Sequence, residues 1–136
     1  MGDANARDLM VHDGLWEMAR RTADDVLERM ALVPRTLEAR GLDASPAVRA
    51  KFAAVGDGES ARVIDLILRD EIGHVAIGNR WFRFLCRQRG LEPEATYREV
   101  ARRRGAPRPR GPFNLAARLQ AGFTRQEVEE LQGSAR

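Results

Sequence analysis

From residue 15 to residue 37, apolar side chains return every three or four positions: Leu15, Met18, Ala19, Ala23, Val26, Leu27, Met30, Ala31, Val33 and Leu37. This is the helical period, and it predicts a long first helix over 13–40, capped by Asp13 and stopped by Gly41. Pro34 interrupts the pattern and should kink the helix or free a carbonyl one turn earlier. Ser45-Pro46 reads as an N-cap with proline in the first turn, opening a short helix to about Val55. Gly56-Asp57-Gly58 is a break. A second long helix is expected over 59–89, ended by Gly90. Glu92-Pro93 opens a short helix through Arg103, and 105–112 is loop. A helical turn follows over 112–120, and Thr124 with Glu127 forms a capping box for a last helix. No strand-like alternation and no internal repeat is present. The predicted fold is all-α: a long helical hairpin with short accessory helices over 13–132, after an irregular lead-in over 1–12.

The second long helix carries Val63, Ile64, Leu66, Ile67, Leu68, Ile72, Val75, Ala76, Ile77, Trp81, Phe82, Phe84 and Leu85. These cover more than one face, and a helix apolar on most sides is buried by several neighbours. One other long helix cannot cover it. The expectation is that the C-terminal helices cover part and another chain the rest. Trp16, Trp81, Phe82 and Phe84 are expected in the core.

Composition changes this picture little. The 136 residues are 43% hydrophobic and 32% charged, a globular balance. The net charge is only +3, and Lys51 is the sole lysine beside 22 arginines, which reads first as composition bias. Cys86 is the only cysteine and a small buried residue in this reading, so no disulfide forms within the chain. The polar N-terminus lacks an apolar signal core, and charges interrupt every apolar run, so a cytoplasmic protein without a membrane partner is expected.

Candidate chemistry sits inside the second long helix, at Arg69-Asp70-Glu71-Ile72-Gly73-His74. Glu71 and His74 are three apart and share a face with Ile64, Ile67, Val75, Gly78 and Phe82. A carboxylate and an imidazole in an apolar stripe need a partner. A metal is one, and this donor pair suits iron or manganese. Four-helix bundles holding two such ions use Glu-x-x-His on two helices and a lone Glu on each of the others. The bland alternative is a histidine satisfied by Glu71, Asp70 or a nearby arginine. Glu38 extends an apolar face of the first helix near its C-terminus, where the dipole disfavours a negative charge. A ligand role would explain it, and so would pairing with Arg35 or Arg40. Glu17 and Glu28 are lesser rivals on that helix. Gly73 and Gly78 are expected to permit close helix approach.

The runs from Met30 to Asp43 and from Leu68 to Gly78, together with Arg80-Trp-Phe-Arg-Phe-Leu-Cys86 and Gly111-Pro-Phe-Asn114, resemble a bacterial ferritin-like family of unknown function, over about residues 10–132. That family is related to ferritins, rubrerythrins and tRNA isopentenyladenosine hydroxylases. The resemblance implies that Glu38, Glu71 and His74 are ligands of a two-iron (or di-manganese) site, with Asp70 behind them, activating dioxygen or peroxide. Members of the family are about twice as long and begin with another helix pair carrying its own Glu and Glu-x-x-His. This chain lacks that pair, and His12 has no glutamate three residues before it. A homodimer, or a complementing helix-pair chain, would supply the full set of four carboxylates and two imidazoles. A truncated or metal-free fragment is the alternative expectation.

A basic cluster of Arg98, Arg102, Arg103, Arg104, Arg108 and Arg110 flanks the proline-rich loop. It could hold a phosphate backbone, giving an RNA-binding or tRNA-modifying module as a further alternative. No aromatic residue lies between the arginines to stack a base, and a solvated loop is the plainer reading. Tyr97 is a remote candidate for an electron relay.

Overall fold

The computed structural model describes residues 14–134, so the expected cap Asp13, the lead-in over 1–12 and His12 lie outside the described residues. Every regular element among the described residues is helical. Helix α1 spans 14–21, and α2 spans Val26–Leu32. A π-helical turn, Val33–Glu38, runs straight into α3, Ala39–Ala54. Helix α4, Gly58–Gln88, is the long return rod. Helices α5 (Pro93–Arg103), α6 (Leu115–Gln120) and α7 (Arg125–Ser134) follow. The expected all-α hairpin with short accessory helices is therefore observed. No helix among the described residues is long and apolar enough to cross a membrane.

The first rod departs from expectation at three places. It is not continuous from 13 to 40: residues 22–24 form a turn, the Thr22 hydroxyl donates to the Met18 carbonyl, and Asp25 restarts the helix by accepting from Leu27 N and Glu28 N. Pro34 stands in the first turn of an unexpected element. The chain widens into a π-helical turn, and the Thr36 hydroxyl donates to the Ala31 carbonyl at 2.9 Å. Gly41 does not stop the helix, and Ser45 caps no new one. Helix α3 continues through Gly41 and Pro46, with the Ser45 hydroxyl donating back to the Gly41 carbonyl. Burial of Ala39 and Leu42 against α4 outweighs a glycine cost of about 1 kcal/mol.

The core has two clusters along α4. Met18, Leu27, Ala31, Leu32, Phe82, Cys86 and Val100 form one, and Ala39, Leu42, Val75, Ala117, Ala121, Phe123 and Val128 the other. Cys86 is buried as expected, and burial raises its thiol pKa. Gly78 lets the rods touch: a Cβ there would lie 2.3 Å from Pro34 Cβ and Cγ. Gly73 has no such role, because nothing lies within 4 Å of its hypothetical Cβ.

Arg35 joins the two clusters. Its buried guanidinium lies over the rings of Phe82, Tyr97 and Phe123, with centroids 4.7, 4.5 and 5.2 Å away. Its Nε donates to Asn79 Oδ1 and its Nη2 to Glu127. Glu127 also completes the expected capping box, accepting from Thr124 N at 3.0 Å while its own N–H donates to Thr124 Oγ1 at 3.1 Å.

The other face of α4 is open. Val63, Leu66, Ile67, Ile77, Trp81 and Phe84 are exposed there. Trp81 and Phe84, expected in the core, stack edge-to-face on the surface at 5.7 Å. Trp16 is exposed as well. The physical reason is supply: the short helices and the first rod together cover only one side of α4.

Candidate metal centre

Glu38 closes the π-helical turn, and Glu71 and His74 lie midway along α4. The turn brings Glu38 close enough for its charge to raise the pKa of Glu71. His74 Nδ1 lies 3.7 Å from Glu71 Oε2. Glu71 sits at the edge of the packed face, its side chain 26% exposed, in register with Val75, Gly78 and Phe82. His74 is on the open face, its side chain 64% exposed, in register with Ile67, Ile77 and Trp81. Asp70 is exposed one turn before His74.

Burial is the main cause that pushes the Glu71 carboxyl up, followed by the charge of Glu38; the His74 interaction pulls the other way. Glu71 Oε1 is buried and has no hydrogen-bond partner among the described residues. Its Cγ lies 3.8 Å from the position a Gly41 Cβ would take. Beside it opens a cleft of about 260 Å³, lined by Gly41, Ala44, Val48, Ile64 and Ile67. Two neighbouring carboxylates, one with an orphaned oxygen, and an imidazole alongside are donors of the kind that bind cations. Among the described residues, though, no group of three or more His, Cys, Asp or Glu is drawn together tightly enough to hold an ion by itself. The donor set suits iron or manganese in kind and is incomplete in number.

The rival carboxylates are engaged elsewhere. Glu28 is buried and pairs with Arg103 and Arg104, and Glu17 forms an exposed pair with Arg20 at 3.1 Å. These pairings also account for part of the basic cluster. Arg102 meets Glu99 at 2.8 Å and Arg98 meets Glu130 at 3.4 Å. Arg108 and Arg110 line a wide groove with Asp43 and Arg40. Arg35 pairs with Glu127 and not with Glu38. The Tyr97 hydroxyl lies 2.7 Å from Thr36 Oγ1.

Sequence reasoning missed two buried arginines, Arg35 and Arg118. Arg118 pairs with Asp43 at 2.6 Å and lies over the Phe113 and Phe123 rings. The available signal was position: both arginines fall among apolar residues on helical faces that pack inward.

Fold and site define an all-α hairpin protein with a carboxylate–imidazole group at the rim of an open helix face. The chain belongs to the family described as a protein of unknown function, DUF455, whose pattern matches residues 7–129. It is 49% identical over 122 residues to an uncharacterized protein of Haemophilus influenzae, a match covering 90% of this chain and 42% of the relative. The chain thus spans less than half the length of the curated relative it matches. No solved structure matches it.

Proposed function

We propose that this chain is a ferritin-like half-bundle contributing Glu38, Glu71 and His74 to a non-haem two-metal carboxylate centre, most naturally of iron, with manganese as the other fitting metal. Glu38 and Glu71 would bind or bridge the ions, His74 would be a terminal ligand, and Asp70 would hold the imidazole's environment. The carrying observation is the buried, unpartnered Glu71 Oε1 beside a second carboxylate and an imidazole. Iron bound there would supply the one-electron chemistry that dioxygen or peroxide activation requires; oxidase and hydroxylase outcomes share such ligands.

Three donors are half a set, and the other half has to approach over the apolar face that His74 shares. A second copy brings it by two-fold symmetry. A complementing helix pair does the same, and the extra length of the Haemophilus relative leaves room for one in that protein. The decisive experiment measures mass and metal together, by native mass spectrometry on protein grown with iron. A dimer holding two irons, with the iron lost on His74→Ala, supports the proposal. A well-behaved metal-free monomer rejects assembly of the centre from two copies, and a dimer that forms equally well without metal favours an inactive half-bundle.

A further inference from the structure

A cavity of about 230 Å³ opens between the π-helical turn, α5 and α7, and Glu38, Glu71 and His74 are not on its wall. Its apolar lining comes from Tyr97, Phe123, Leu131, Pro107 and Pro109. Its charged lining is four arginines, at 35, 40, 98 and 118, and three glutamates, at 94, 127 and 130. The near balance of charge disappears once existing bonds are assigned. Glu127 accepts from Arg35, Arg83 and the Thr124 N–H. Glu130 is held by Arg98, and Glu94 accepts from the Thr124 hydroxyl at 3.1 Å. Arg118 gives Nε and Nη2 to Asp43.

What remains is donor capacity. The Arg35 side chain is 1% exposed, and its Nε and Nη2 are engaged. Its Nη1 is buried and meets no acceptor among the described residues. An unmet charged donor in the interior is costly and calls for an acceptor. Arg40, exposed at the mouth, has no carboxylate partner among the described residues. Tyr97 adds no donor: the single Thr36 hydroxyl proton goes to the Ala31 carbonyl, so the Tyr97 O–H is spent on Thr36 Oγ1.

We propose that this cavity is a binding site for a small organic oxyanion, its charged group drawn to Arg35 and Arg40 on the wall and its apolar body against Tyr97, Phe123 and Leu131. The volume lies below the roughly 300–1,000 Å³ of pockets for drug-sized molecules, so the ligand is of the size of one ring or a short chain. A guanidinium recognises carboxylate and phosphate by the same charge-assisted hydrogen bonds. The site is separate from the proposed metal centre in its residues and in its test.

The experiment is a titration followed by amide NMR, with benzoate, phenyl phosphate and neutral benzamide as probes. The expected result is saturable shifts near Tyr97, Arg98 and Leu131 with one or both anions, at least tenfold weaker with benzamide. The tighter anion identifies the oxyanion. Leu131→Trp, which fills the cavity and leaves both Arg35 and Glu127 in the chain, should abolish the shifts, and Arg40→Ala should weaken binding about tenfold. His74→Ala should bind as the unaltered chain does. Absence of saturable shifts with both anions overturns the proposal, as does equal binding of benzamide or undiminished binding by a folded Leu131→Trp variant.

Discussion

At the scale of single residues, the most informative group is Glu71. Its folded pKa is raised, so in metal-free protein the protonated form is the one that folding favours. The contribution is fully present below the ordinary carboxylate value of 4.5 and is lost as pH rises through the raised one. Metal-free Glu71→Gln should therefore be more stable than the parent at neutral pH. The gain should vanish as pH falls below the carboxylate range; urea titrations across that range measure it, and a gain independent of pH would contradict the assignment. Glu127 makes the opposite case. Its carboxylate lies between Arg35 and Arg83, so Glu127→Ala leaves two guanidinium groups without their anion. Breaking such a buried pair costs about 3–5 kcal/mol, readable in chemical denaturation. Only half of this residue was legible in the sequence. Its capping box with Thr124 is local and follows from spacing, whereas Arg35 lies 92 positions away and no local rule pairs the two.

At the scale of elements, the hairpin was legible because apolar periodicity survives any detail of the ends. The breaks were legible only in part. Asp25 with Glu28 three residues later is a start signal inside the first periodic run, and the run's regularity concealed it. Gly41 as a stop and Ser45-Pro46 as a fresh start are local signals that the packing of Leu42 overrides, and propensity is the weaker force in that contest. The Gly78 contact with Pro34 tests the join between the rods. Alanine at 78 gains about 1 kcal/mol of helix propensity, but its methyl would press on a stiff pyrrolidine ring, and overpacking costs roughly 1–3 kcal/mol. Gly78→Ala should be net destabilised, by up to about 2 kcal/mol in thermal or urea unfolding. Pro34→Gly should be less than additive with it in a double-mutant cycle. Glu38 was legible as a charge in an unfavourable place near a helix end; its approach to Glu71 was not, because it depends on the π-helical turn that Pro34 introduces.

At the scale of the whole molecule, the open face of α4 is the main fact. The sequence showed that this helix is apolar on more sides than one neighbour covers, but not which residues stay outside, since Trp81 and Phe82 are adjacent and have opposite fates. Ile77→Glu with Trp81→Glu should leave helicity by circular dichroism unchanged and reduce any assembly to monomers by light scattering. Loss of the fold instead would mean that these side chains serve the core. The spacing along this face carries a final consequence. Val63, Ile67, Asp70, His74, Ile77, Trp81 and Phe84 advance by four and three in alternation, which is a seven-residue repeat over 21 residues. A straight α-helix drifts about 20° per seven residues, so a stripe with this repeat stays aligned only with a partner wound gently around it. A long helical rod laid along this face would therefore have to cross α4 at about 20°, knobs seated in holes, with His74 along the seam.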